Sequence, residues 1–208
     1  MIISAVILAA GRSTRFPGNK LVTEIDVEGV RAPLVRHTVV KFVRSGVFDA
    51  IAVVVGHKFQ LIVKALAGLE VLFTYNDKYL EGMSSSVKAG VSVLRRFSDA
   101  VAIHPGDVPF IRVSTLRMLV RKAMELLSGR EDFILIPRYG VKGGHPLIVS
   151  RGLLPDVLEI SEECRGLKGF LRRRSAFIKY LPVDDPGVLA DVDRIEDLER
   201  FSRFSGGE

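Results

Sequence analysis

The chain has one cysteine, Cys164, one glutamine, Gln60, and two asparagines, Asn19 and Asn76. A single thiol excludes an intrachain disulfide and fits a reducing compartment, so a cytoplasmic setting is expected. No partner pattern surrounds Cys164, which reads as inert. Scarce side-chain amides beside 30 lysines and arginines fit a heat-tolerant chain. No apolar run reaches the roughly 18–20 residues that a membrane-spanning helix needs, so no membrane partner is expected. The opening MIISAVILAA lacks the basic leader of a signal peptide and reads as a first strand. Neither a low-complexity linker nor an internal repeat is present, and 208 residues suit one domain over 1–208.

What is present in excess is positive charge. The net charge of +6 suits an anionic partner without naming it. The densest basic stretch, RGLKGFLRRRSAF, holds Arg165, Lys168, Arg172, Arg173 and Arg174. No RNA-binding aromatic motif, zinc-finger spacing or helix-turn-helix pattern accompanies it, so it reads as a solvated helix face and nucleic acid is not an expected partner.

Short β-rich runs alternate with helical patterns. Strands are predicted over 2–8, 50–55, 71–75, 100–104 and 133–137, and helices over 33–45, 59–67, 85–96 and 113–127. This alternation predicts an α/β protein with a mostly parallel sheet covered by helices on both faces. After Arg138 the pattern loosens. Strands over 146–150 and 177–182 and helices over 153–160, 166–174 and 194–204 are expected in an irregular last third, ending in a frayed tail over 205–208.

In open α/β sheets, ligands gather at the carboxyl ends of the strands, and the unusual residues fall there. AAGRSTRFPGNK leaves the first strand on Gly11 and exposes Arg12, Arg15 and Lys20. Glycine lets backbone approach a ligand, successive N–H groups in such a turn form an anion nest, and arginine and lysine add charge suited to phosphate. The loop is neither a Walker A sequence nor a GxGxxG fingerprint. HPGDVPF places Asp107 just past a buried strand, where a carboxylate facing a phosphate loop suits Mg²⁺. In ADVDRIEDLERF, Asp191 and Asp193 alternate on an extended segment and point to one side. Asp193 has a second reading, as the N-cap of the last helix with Glu196 completing a capping box. In EGMSSSVKAG, the serines Ser84, Ser85 and Ser86 read as helix caps or as the seat of an anion or a base edge. GGHPLIV sets His145 after Gly144 and before a strand.

The ordered set LAAGxSxRFxGxK, Asn and GMSSS, GDxP, GHP and a late DxD resembles the molybdenum-cofactor nucleotidyltransferases, the MobA-like NTP transferases, from Leu8 to Asp197. The resemblance implies a three-layer αβα, Rossmann-like nucleotide-diphosphosugar-transferase fold. It implies Mg²⁺-dependent transfer of a nucleoside monophosphate onto a phosphorylated small-molecule acceptor, with release of pyrophosphate. Residues 1–137 become the nucleotide-binding part, and 138–208 the acceptor side with the C-terminal elements. Leu8, Ala9, Ala10, Gly11, Arg12 and Ser13 then form the nucleotide loop, with Asn76, Ser84 and Ser85 also on the nucleotide. Arg15, Lys20 and Asp107 become the catalytic residues, Asp107 and Asp193 the metal ligands, and Gly144 and His145 the acceptor contacts. LAAG, GMSSS and GHP resemble the cytidylyl branch, which implies CTP as donor, molybdopterin as acceptor and a molybdoenzyme as partner. VEGVR over 27–31 departs from the family's strand–Gly–Lys–Pro–Leu pattern, with Ala32 at the place of the lysine. Two alternatives stay open: a cytidylyl- or guanylyltransferase for another phosphorylated alcohol, such as inositol or cobinamide phosphate, and a non-catalytic nucleotide or RNA binder.

Overall fold

A computed structural model describes residues 1–12, 19–194 and 196–197. The apolar opening forms β1 (Ile3–Ala9), and a hairpin of β2 (Glu24–Val27) and β3 (Val30–Pro33) follows. Helix α1 (Leu34–Ser45) starts directly after Pro33, whose missing N–H costs nothing there, and stops at Gly46. Next come β4 (Ala50–Val55), α2 (Phe59–Ala65), β5 (Leu72–Tyr75), α3 (Met83–Leu94), β6 (Ala100–Pro105) and α4 (Val113–Ser128). The last third adds β7 (Ile134–Tyr139), β8 (Lys142–Gly143), β9 (Leu147–Ser150), α5 (Leu154–Leu158), α6 (Gly166–Arg173) and β10 (Ile178–Pro182).

One sheet takes all strands but the hairpin, in the order β10-β7-β9-β6-β1-β4-β5, with β8 paired to β7. β1 lies centrally, parallel to β4 and β6, with Val6 opposite Ala52 and Ile103. The only antiparallel pairings in that sheet, among the described residues, involve β8 and β9. The alternation along β1 sorts the core into two layers. Ile3, Ala5, Ile7 and Ala9 pack with Leu34, Val39 and Phe42 of α1, Ile62 of α2 and Leu116 and Leu119 of α4. Val6 on the other face packs with Val87, Val91 and Leu94 of α3, Val157 of α5 and Phe170 of α6. The result is the expected αβα sandwich.

Three expectations change. The hairpin β2–β3 was not expected; its turn at Glu28 and Gly29 has φ of 57° and 75°. It is pinned to α1 by Lys41 Nζ on Glu28 Oε1 at 3.1 Å and by His37 Nε2 on the Ile25 carbonyl at 3.1 Å. The last third is less irregular than its sequence, because β9 inserts antiparallel between β6 and β7 and completes the interior of the sheet. The region expected as helix over 153–160 is a 3-10 turn (Arg151–Leu153) followed by the five-residue α5. Most of the expected helix over 194–204, and the tail over 205–208, lie outside the described residues.

Candidate active site

The parallel strands bring the loops after β1, β4, β5 and β6 to one rim. The loops are bonded to each other. Gly106 N–H donates to the Leu8 carbonyl at 2.9 Å, and His57 N–H donates to the Ala10 carbonyl at 3.1 Å. Thr38 of α1 donates to the Gly106 carbonyl at 2.8 Å from a fully buried position. A Cβ on Gly106 would stand 2.8 Å from the Leu8 carbonyl oxygen, so this approach requires glycine. Asp107 is thereby fixed at the carboxyl end of β6.

Two further segments close on Asp107. Asn19 accepts from Leu21 N–H at 3.2 Å and caps a short 3-10 turn (Lys20–Val22), which turns the Lys20 side chain inward. Lys20 is 7% exposed, and its Nζ lies 2.6 Å from Asp107 Oδ2 and 3.5 Å from Asp193 Oδ1. The late DxD segment reaches the site because Val192 N–H donates to the Asp107 carbonyl at 3.0 Å. Asp197 Oδ2 accepts from the backbone N–H of both Asp193 and Arg194, so Asp197 takes the place that the capping-box reading gave to Glu196.

Negative charge exceeds what Lys20 neutralises. Asp191, half exposed beside these groups, has its carboxyl raised to about 6. The first cause is loss of water around it; like charge from Asp107 and then Asp193 adds to this, against the pull of Lys20. Burial lowers His145 to about 4, partly offset by Asp107. The 4.0 Å approach of His145 Nε2 to Asp191 Oδ1 therefore joins a neutral imidazole to a carboxylate at pH 7. Behind it stands His104, wholly buried, with its ring centroid 6.2 Å from that of His145. His104 Nε2 lies 3.0 Å from the Val108 carbonyl, which can only accept, so Nε2 carries the hydrogen.

His104 makes stability pH-dependent. Burial, then the His145 ring, lowers it from 6.5 to about 3. Between these values the unfolded chain takes up a proton that the folded chain refuses. Its contribution is thus complete above about 6.5 and is lost as pH falls toward 3. The urea midpoint is expected to fall from pH 7 to pH 4 more steeply in the wild type than in His104→Phe; equal slopes would contradict the assignment.

Lys20, Asp107 and Asp193, far apart in sequence, are brought together. Leu8, Ala9 and Ala10 lie at the same rim, with Ala9 and Ala10 buried. Gly11 and Arg12 are exposed beside it. Ser13 and Arg15 lie outside the described residues. Asn76 is buried and organises its own loop: Nδ2 donates to Ser85 Oγ and Ser86 Oγ, and Oδ1 accepts from Lys78 N–H. The serines do not cap α3 as the sequence suggested; Gly82 holds the N-cap position and the serines follow inside the first turn. Gly144 is buried against Val188, and His145 N–H donates to the Val188 carbonyl at 2.8 Å. Sequence reasoning passed over Thr38, His104, Asp197 and Glu162, whose Oε1 accepts from Ser84 N–H at 2.7 Å.

The donor set fits a hard divalent cation. Asp107 and Asp193 each offer a carboxylate oxygen, 2.6 and 3.5 Å from the Lys20 ammonium, and both add like charge to Asp191. Among the described residues no three His, Cys, Asp or Glu side chains stand close enough to hold a metal alone. Mg²⁺ commonly takes one or two carboxylates and completes its shell with water and substrate phosphate.

A family model described as the MobA-like NTP transferase domain matches residues 5–177. The bifunctional protein GlmU of Caldicellulosiruptor saccharolyticus is 33% identical over 122 residues, 58% of this chain and 25% of that protein. The match thus spans about a quarter of the length of that curated relative. A nucleotidyl transferase from Methanothermobacter thermautotroptrophicus shares the fold, with a TM-score of 0.78, 23% identity, and coverage of 98% of this chain and 97% of the other. The Rv0371C protein of Mycobacterium tuberculosis H37Rv, solved in complex with manganese, superposes with a TM-score of 0.75 at 21% identity, over 98% and 99% of the two chains. No described helix is long and apolar enough to cross a membrane.

Proposed function

The chain belongs to the MobA-like NTP transferase family, and from that premise we propose that it moves CMP from CTP to a phosphorylated acceptor, molybdopterin, releasing pyrophosphate. The observation that carries this reading is the 2.6 Å pair of Lys20 and Asp107, with Asp193 on the same ammonium, at the rim where the strand ends meet. The fit of the carboxylates and the manganese bound by a fold neighbour support a divalent metal cofactor, Mg²⁺. The chain is proposed to work in the cytoplasm, with a molybdoenzyme as the recipient of its product.

The chemistry is in-line attack by an acceptor phosphate oxygen on the α-phosphorus of CTP. A P–O bond to the acceptor forms as the bond to the β-phosphate oxygen breaks, and pyrophosphate leaves. Two anions must meet, so positioning and charge neutralisation dominate. The backbone of Leu8–Gly11 and the Arg15 guanidinium hold the triphosphate. Lys20 places its ammonium against the charge that develops on the leaving pyrophosphate. Asp107 and Asp193 would hold Mg²⁺, which when bound supplies further charge neutralisation. His145 stays neutral at pH 7, so it orients the acceptor by hydrogen bonding. The attacking phosphate is already ionised, and little general-base work remains.

Pyrophosphate release from each of the four NTPs, measured with Mg²⁺ against molybdopterin, inositol phosphate and cobinamide phosphate, tests the proposal. Release with CTP and molybdopterin is the expected result. Release with GTP or with another alcohol phosphate moves the assignment within the class. No release from any pair, with nucleotide still bound, points to a binding protein.

A further inference from the structure

The two edges of the main sheet are built differently. β10 ends one side, where Lys179 pairs with Glu131 and Pro182 closes the strand. Charge and proline of this kind keep an open edge from pairing with another chain. β5 ends the other side with Leu72, Phe73, Thr74 and Tyr75, a strand without charge or proline. Leu72 is 49% exposed, Phe73 41% and Tyr75 55%. Phe59 of α2, itself exposed, lies edge-on to Tyr75 at 5.3 Å and widens the apolar strip. An exposed apolar edge is a ready template for a further strand.

The backbone fixes how such a strand joins. β5 runs parallel to β4 with Thr74 opposite Val54, and Asn76 N–H donates to the Val55 carbonyl at 2.8 Å. Alternate residues bond inward, so Leu72 and Thr74 direct their main-chain groups to β4. Phe73 and Tyr75 turn their N–H and C=O outward, where no described strand takes them. These two residues satisfy each other across a twofold axis through Thr74. Phe73 of each copy then faces Tyr75 of the other in an antiparallel hydrogen-bonded pair. The same register brings Glu70 of each copy toward Lys78 of the other, and both side chains are exposed. Moving the axis to Phe73 or Tyr75 keeps the main-chain pairing but sets Glu70 against Asn76 or Leu80. Charge therefore selects the axis through Thr74.

We propose that β5 is the interface of a homodimer, two copies joined edge to edge about a twofold axis through Thr74. The partner is a second copy because the strand complements itself in main chain and in charge at one register. The two parallel sheets then run in opposite directions, so the two candidate sites open at opposite ends and neither copy covers the other's. The dimer is independent of which group the chain transfers.

The test combines sedimentation velocity of the full chain with cross-linking at chosen positions. Thr74→Cys and Leu72→Cys are each made in a Cys164→Ser chain, which removes the only native thiol, and are oxidised with glutathione disulfide. In the proposed register the two copies of residue 74 form a non-hydrogen-bonded pair with Cα atoms about 4.5 Å apart, within disulfide reach. The two copies of residue 72 lie four positions out of register, roughly 14 Å apart, beyond that reach. A covalent dimer is expected from Thr74→Cys and not from Leu72→Cys. Glu70→Lys and Lys78→Glu are each expected to weaken self-association about tenfold, and the two together to restore it. Phe73→Lys is expected to abolish it. If Phe73→Lys lowers the thermal midpoint, the charge exchange between exposed residues carries the comparison. Equal cross-linking at both positions, or a dimer indifferent to the charge exchange, overturns the interface. A wild-type chain that stays monomeric up to about 100 µM overturns it as well, and leaves the edge to a foreign strand.

Discussion

Replacing Lys20 by alanine is expected to lower CTP-dependent pyrophosphate release about 10²- to 10³-fold, the usual loss when one well-placed electrostatic contact to developing charge is removed. The geometry says why the loss falls on kcat more than on KM. The Lys20 ammonium is nearly buried and already held by Asp107 and Asp193 before any ligand arrives. It therefore does not have to be ordered during the reaction, and its nearly buried charge is little screened by water. On the proposed reading the Leu8–Gly11 backbone, Arg12 and Arg15 still bind the substrate in this variant, so ground-state binding is expected to weaken less. Lys20→Arg is the informative companion, because its charge stays while its longer planar head no longer fits the position between the two carboxylates. A Lys20→Ala protein with a normal thermal midpoint and full turnover contradicts the assignment.

Asp107→Asn is expected to cost a similar factor, about 10²- to 10³-fold, with a different signature. Asparagine keeps the shape and the backbone carbonyl that accepts from Val192 N–H, so the late acidic segment stays docked. What is lost is the charge that suits a hard cation. The Mg²⁺ concentration giving half-maximal rate should rise, and excess Mg²⁺ should recover part of the activity. Lys20→Ala should show no such recovery. Full Mg²⁺-dependent pyrophosphate release by Asp107→Asn would remove Asp107 from the metal site.

These predictions concern residues that sequence reasoning reached because parallel strands all point one way. Each chemistry-bearing loop follows an apolar run, so Lys20 after β1 and Asp107 after β6 reach the same rim although 87 positions separate them. The hairpin β2–β3 was harder to see. Its strands have four residues each, half exposed, and its turn is Glu-Gly rather than the Asn-Gly or Asp-Gly that usually marks a two-residue turn. The run 146–150 read correctly as a strand, but its place between β6 and β7 is a tertiary fact that periodicity does not encode. The serine-rich start of α3 suggested a side-chain cap by residue preference. Gly82 took that position, and the anion came from Glu162, distant in sequence. His104 looked like the end of a strand; only the packed structure shows it wholly buried beside His145.

The central claim is that Lys20 and Asp107 act as one unit on the phosphate tail. A double-mutant cycle on kcat/KM for CTP turnover, using Lys20→Ala, Asp107→Asn and both together, tests it most directly. The account predicts that the double variant falls little below the weaker single variant, because each change already disables the shared site. Losses that multiply, or single variants that keep wild-type rates, would contradict it.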